Sequence, residues 1–315
     1  MNRLSQIFLF ALLLAGTLGA AEFQAAGFHL YYGGEARVLA GLRGRLAKGH
    51  VAVVDLRALT AAQRNALLKQ SNAVGAKVIA YVSIGELHDR EAADFAAFFK
   101  SAPIRPDLRK HFPTPASVEV GRNAQFKSRR MDALSAAWRL FVLRKVTLAR
   151  RAGVHGVFLD TVDTVDTYIT RKPWPIARRV ESVQAMGHLI RAIKASDPRQ
   201  YVMMNRGLNL IGAKVFVGDA KGVEITGLNL TQKHGHNPDA VLWENAFAGS
   251  DAWTRAKDRE LRAIHAAGHM TVFALGYAET GAKPEVFFKQ ARTAGWPAAW
   301  ARSSSTLHLE LATGK

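Results

Sequence analysis

The sequence predicts an α/β protein folded as a single (β/α)8 TIM-like barrel, and three observations carry that prediction. Eight short β-rich runs alternate with amphipathic stretches over about 290 residues, the pattern of parallel strands joined by helices. Gly75, Gly153, Gly268 and Gly295 mark helix-to-strand joints, where a helix C-terminus needs a left-handed residue. The rival architecture, a doubly wound nucleotide-binding sheet, calls for a glycine-rich phosphate turn after its first strand, and neither G-x-G-x-x-G nor G-x-x-x-x-G-K-[ST] occurs.

In chain order the expected strands are Phe28 to Tyr32, Val51 to Leu56, Lys77 to Ile84, Gly156 to Asp160, Tyr201 to Asn205, Val241 to Glu244, Met270 to Leu275 and Ala298 to Ala301. Helical patterns lie between them, over Ala61 to Val74, Arg178 to Ala195, Ala252 to Ala267 and Pro284 to Thr293. The clearest helix covers residues 131 to 152. There Leu134, Trp138, Phe141, Val142 and Ala149 recur at helical spacing, with Arg139, Arg144, Lys145 and Arg150 read as the opposite, solvated face. Two connections are long, residues 87 to 130 after strand 3 and 206 to 240 after strand 5. Long ordered loops in barrels usually build the face that carries the site.

Length and composition narrow the classes. A chain of 315 residues with 49% apolar and 22% charged residues buries a core without staples, and 26 Gly with 10 Pro rule out collagen-like and low-complexity chains. The absence of cysteine removes thiol nucleophiles, Cys-ligated zinc, iron–sulfur clusters and disulfides together. Residues 1–20 read as a signal peptide: Arg3, the apolar run Ile7 to Ala15, then Gly16, Gly19, Ala20 and Ala21 at a cleavage site. The expectation is a secreted or periplasmic protein with one domain over 21–315, monomeric, and with no stable membrane insertion after cleavage. The formal charge is +18, or +17 without Arg3. An exported protein of that charge suits an anionic envelope or matrix polymer better than nucleic acid.

Strand side chains in a barrel alternate between interior and helix layer, and sites form where strands end. Asp160 shares parity with Phe158 and Glu244 with Leu242, so both carboxylates point inward at the mouth. Each ends a near-continuous apolar strand, where an ionisable group is costly unless it is used or paired. Asp163, Glu86 and Asp55 lie close by, and taken singly these read first as caps or ion partners of the turns. Two carboxylates suffice for glycoside hydrolysis, one protonating the leaving oxygen while the other attacks or activates water. Tyr31, Tyr32, Tyr81, Tyr168 and Tyr277 map near the same face, where amphipathic rings stack on sugars; Tyr31 and Tyr277 are taken as substrate contacts on this ground. Trp243, on the opposite parity to Glu244, reads as packing.

Other chemistries have less support. His234-Gly-His236 and His265-x-x-x-His269 lack an adjacent acid, Ser83 lacks the first glycine of a nucleophile elbow, and no metal or cofactor is called for.

The segment Gly153-Val154-His155-Gly156-Val157-Phe158-Leu159-Asp160-Thr161-Val162-Asp163 resembles glycoside hydrolase family 114, the endo-alpha-1,4-polygalactosaminidase family and its bacterial relatives. Val78 to Glu86, Met204-Asn205-Arg206-Gly207, Trp243-Glu244 and Ala294-Gly295-Trp296-Pro297 follow in the family's order. The resemblance implies cleavage of galactosamine- or N-acetylgalactosamine-containing polysaccharide, with Asp160 and Glu244 as the catalytic pair. It also implies Tyr81, Ser83, Glu86, Asp163 and Asn205 as substrate contacts. The stretch from Asn209 to Asp239 departs from the family as an insertion, which makes Glu224 the competitor of Glu244. The cations of residues 100–130, with Arg171, Lys172, Arg178 and Arg179, would make the rim basic, which points to an N-acetylated or acidic glycan. The alternative is a non-catalytic envelope protein binding anionic polysaccharide through that rim.

Overall fold

A computed structural model describes residues 23–212, 214–218, 223–226, 230 and 236–314. The expected signal peptide and His234 lie outside them. Eight parallel strands form the barrel: β1 (Gly27–Tyr31), β2 (His50–Val54), β3 (Lys77–Ser83), β7 (Gly156–Asp160), β8 (Tyr201–Asn205), β11 (Ala240–Glu244), β12 (Thr271–Tyr277) and β13 (Ala298–Ala301). A two-residue strand, β14 (Ala312–Thr313), closes the circle by pairing antiparallel with both β13 and β1. These eight are the strands expected from the sequence, with ends shifted by a few residues. Near-continuous apolar composition explains them, because a parallel strand here is buried on both faces. Phe28, Leu30, Val53, Phe158, Met203 and Leu242 fill the interior, while Val54, Val82, Leu159 and Met204 pack under the helices.

Helices cross back between strands. Ala61–Val74 opens with a capping box, Thr60 accepting from the Gln63 amide while the Gln63 side chain accepts from the Thr60 amide, and closes on left-handed Gly75. The helix expected over 131 to 152 spans Ala136–Arg151, because Ser135 caps it and Met131 belongs to a strand. Lys145 corrects the expected polar face. Seven residues after Trp138 and four after Phe141, it lies on their stripe, with its ammonium 5.3 Å from the Trp138 ring and donating to the Ser83 carbonyl at 2.9 Å.

Both long connections leave the C-terminal ends of barrel strands. The first holds β4 (Glu86–His88), the helix Ala92–Ser101, β5 (Glu119–Asn123) and β6 (Ser128–Met131), with β4, β6 and β5 in one antiparallel sheet. The second holds a hairpin of β9 (Lys214–Val217) and β10 (Val223–Thr226), and Glu224 lies on β10 opposite Phe216. Among the described residues no helix is long and apolar enough to cross a membrane.

Candidate active site

Asp160 is the last residue of β7 and Glu244 the last of β11, both on the inward parity. Only β8 separates them in the barrel. Strand backbones two places apart lie roughly 10 Å from one another, and the charge of Asp160 is felt at Glu244. Neighbouring strands orient each acid. Asn205, ending β8, donates to Asp160 Oδ1 at 2.8 Å, and Tyr81 of β3 hydrogen-bonds to the same carboxylate. Tyr277, ending β12, donates to Glu244 Oε1 at 3.1 Å. Tyr32 stands edge-on to Tyr81 at 4.9 Å between ring centres.

The turns that follow share an unusual backbone. Thr161, Arg206 and Asn245 come directly after Asp160, Asn205 and Glu244, and all three take left-handed φ, at 60°, 54° and 54°. Such values are uncommon outside glycine and gather at sites whose surroundings enforce them. The enforcement is visible. Thr161 Oγ1 accepts from the Gly85 amide at 2.9 Å and shares a hydrogen bond with Ser83 Oγ, also 2.9 Å. A Cβ on Gly85 would sit 2.0 Å from the Thr161 carbonyl, so only glycine lets these turns approach. The Arg206 amide donates to the Leu242 carbonyl at 2.9 Å, tying the end of β8 to β11.

Burial pushes the Glu244 carboxyl up to about 7, helped by the charge of Asp160 and opposed by Arg206 and the Tyr277 hydroxyl. Asp163 is pushed up to about 6 by burial, against the pull of the Arg206 guanidinium 3.2 Å away. Tyr32, Tyr81 and Tyr277 are raised by burial and by the carboxylates they face, so their hydroxyls stay neutral donors. At neutral pH the mouth thus offers a carboxyl near half-protonation facing a second acid held by an amide and a phenol.

Among the expected contacts, Tyr81, Asn205, Tyr277 and Asp163 gather around this pair. Tyr31 does not. It packs fully buried in the outer layer and its hydroxyl accepts from the Glu35 amide at 3.0 Å, while Tyr32, the next residue, takes the inward place. Ser83 supports the turn, donating to the Glu86 carbonyl at 2.6 Å. Glu86 is buried in the added sheet, accepting from Ser128 and Asn123 with Arg130 at 3.5 Å. Tyr168 is buried below that sheet, donating to the Met131 carbonyl. Asp55 caps the turn after β2 and chelates Arg57, and Trp243 packs on Trp296 at 6.0 Å. His265 is spent on backbone, its Nδ1 accepting from the Val272 amide at 3.2 Å. Sequence reasoning placed Tyr32 near this face but took Tyr31 as the contact, and it missed Thr161 and Arg206. Parity counted from Phe28 and Leu30 would have found Tyr32, whereas the residue types Thr and Arg do not announce a left-handed turn and only Asn245 is of a type that favours one.

A (β/α)8 barrel with two inward acids across its mouth, one kept near half-protonation, has the framework of a carboxylate-pair glycosidase. Residues 37–224 match the model of glycoside-hydrolase family GH114, and the chain belongs to that family and is a glycosidase by membership. The match ends before Glu244, so the placement of that residue rests on the barrel geometry. Among solved structures, the glycoside hydrolase domain of PelA from Pseudomonas aeruginosa is similar at 21% identity and a TM-score of 0.59, covering 90% of this chain and 96% of that one. Ega3 from Aspergillus fumigatus, solved with galactosamine, is similar at 15% identity and a TM-score of 0.55, covering 95% and 98%. At these identities the likeness is one of fold. No match was found among curated protein sequences.

Proposed function

We propose that the protein is an exported, monomeric hydrolase of galactosamine-containing polysaccharide, in which Glu244 protonates the glycosidic oxygen and Asp160 attacks the anomeric carbon or activates water. The observation that carries this reading is the pair itself: two inward acids one strand apart, of which Glu244 holds its proton near neutrality beside an Asp160 aligned by Asn205 and Tyr81. Proton donation to the leaving oxygen needs the first, and stabilising positive charge at the sugar carbon needs the second. The galactosamine bound by Ega3 and the resemblance of the Gly153 to Asp163 segment support the choice of sugar.

The polymer is proposed to be N-acetylated or acidic in part. Arg105, Arg122, Arg129 and Arg130 of the added segment pair with its own acids, while Lys100, Lys110 and Lys127, with Lys172 after β7, are exposed cations that would disfavour a fully free-amine chain. The test is release of reducing ends from galactosamine-containing polysaccharide by the wild type, Asp160→Asn and Glu244→Gln. Turnover should fall by about 10² to 10⁴ in each variant. Binding without release by the wild type would instead make this a polysaccharide-binding protein of the basic rim.

A further inference from the structure

Among the described residues Arg57 and Arg206 stand with the acids of the mouth, and the two differ in what their charge is used for. Arg57 lies 5.8 Å from the Tyr81 ring centre, but its guanidinium grips Asp55 at 2.9 Å and faces Glu91 at 3.5 Å. Two carboxylates therefore answer its charge. Arg206 pairs, among the described residues, with Asp163 alone, at 3.2 Å, and about half of its side chain is exposed (48%). Its backbone is held. A hydrogen bond from its amide to the Leu242 carbonyl ties it to β11, where Leu242 stands level with Asn205, its φ of 54° is left-handed, and Gly207 beside it packs so tightly that a Cβ would lie 2.3 Å from Val162. Its charge reaches both Asp163 and Glu244, and Asp166 beyond them.

We propose that Arg206 sets the preference of the site between N-acylated and free-amine hexosamine, acting as the positive group that an acyl carbonyl can meet and an ammonium cannot approach freely. The carboxyl groups of Asp160, Asp163 and Glu244 share this mouth, and the Arg206 guanidinium, 3.2 Å from Asp163, is the cation set among them. An acyl oxygen gains a charge-assisted hydrogen bond from the guanidinium, whereas a protonated amine at the same place is repelled by it. Without Arg206 the same mouth presents uncompensated carboxylates, which favour the ammonium. Arg206 is thus a determinant of the sugar accepted, separate from the acids that perform the reaction.

The inference rests on the hydrolase reading, and the experiment separates the two. Fully N-acetylated and fully de-N-acetylated galactosamine oligosaccharides of equal length are compared as substrates of the wild type, Arg206→Asn and Arg206→Lys. Asparagine removes the charge yet tolerates the left-handed backbone, and lysine keeps the charge. The ratio of kcat/KM for acetylated over free-amine substrate should fall roughly three- to tenfold in Arg206→Asn, the size expected for one partly screened charge several ångströms from the amine. Arg206→Lys should restore most of it. A general loss of fold or activity lowers both substrates together and leaves the ratio unmoved, and an unmoved ratio in an active Arg206→Asn overturns the proposal. If that variant turns over neither substrate, the ratio of the two oligosaccharides' Kd values, measured in Glu244→Gln with and without Arg206→Asn, must show the same shift, and its absence there is equally decisive. Failure of the wild type to cleave either oligosaccharide would remove the hydrolase reading, while the binding ratio would still judge Arg206.

Discussion

Glu86 and Glu244 invite comparison because both are buried or half-buried glutamates at the mouth, one just beyond β3 and the other ending β11. Their partners set them apart. Glu86 accepts from the Ser128 hydroxyl and from Asn123 at 3.2 Å, with the Arg130 guanidinium at 3.5 Å, so donors and a cation stabilise its charge and tie β4 to β5 and β6. Among the described residues Glu244 accepts a hydrogen bond from Tyr277 alone, and it faces the like charge of Asp160. A saturated acid has become part of the scaffold. An acid that is aimed but not neutralised keeps a proton it can give away, and that difference marks a group held for proton transfer.

The largest effects should fall on one side of this comparison. Asp160→Asn and Glu244→Gln should each lower kcat by about 10² to 10⁴ while the thermal transition stays put or rises. Glu86→Gln should do the reverse: turnover per folded molecule within a few-fold of wild type, with stability lower by about 1–3 kcal/mol because buried donors and Arg130 lose their acceptor charge. Paired denaturation and reducing-end assays decide it. Should Glu86→Gln abolish turnover with its fold intact, the distinction drawn from partners fails.

The second contrast is in pH. Glu244 must be protonated to act as an acid, so the rate should decline as pH climbs through about 7. Tyr277 donates to the carboxylate and favours its ionised form, hence Tyr277→Phe should move that decline to higher pH by several tenths of a unit. Stability carries the same sign. Between the ordinary 4.5 and about 7 the folded chain keeps a proton that the unfolded chain has lost, so folding weakens with rising pH across that window. Glu244→Gln removes this penalty and should gain about 1–3 kcal/mol over wild type at pH 8 relative to pH 4 in urea titrations. A gain equal at both pH values would mean that Glu244 ionises without cost.

Sequence pattern carried the barrel well and the site in part, and the reasons are physical. Alternation along Gly156–Asp160 and Ala240–Glu244 is a local signal with a period of two, so inward-facing acids at strand ends could be read directly. The neutralisation of Glu86 depends on Ser128, 42 residues away, and on Asn123, 37 away, across a sheet that no local period announces. Lys145 shows the opposite failure. Its helical phase places it beside Trp138 and Phe141, but its charge suggested solvent, and a carbonyl partner from β3 decided the outcome. The left-handed turns at Thr161 and Arg206 left no compositional trace because tertiary contacts, not glycine, impose them, and a lone Asn at 245 is too common a residue to mark the third.

The smallest expected effect tests the alternation itself, at two adjacent tyrosines. Tyr31 faces the helix layer and accepts from the Glu35 amide, whereas Tyr32 faces the mouth against Tyr81. Tyr31→Phe removes that acceptor, so it should cost about 1 kcal/mol of stability and leave kcat/KM untouched. Tyr32→Phe keeps the ring and the packing but deletes a neutral hydroxyl that burial and the nearby carboxylates keep protonated. Its stability should change little while KM rises roughly three- to tenfold, the effect of losing one hydrogen bond to a bound sugar. Because the two side chains are one residue apart, a one-residue slip of β1 would exchange the outcomes, and an assay in which Tyr31→Phe is the kinetic variant and Tyr32→Phe the unstable one would show that the first strand turns its other face to the substrate.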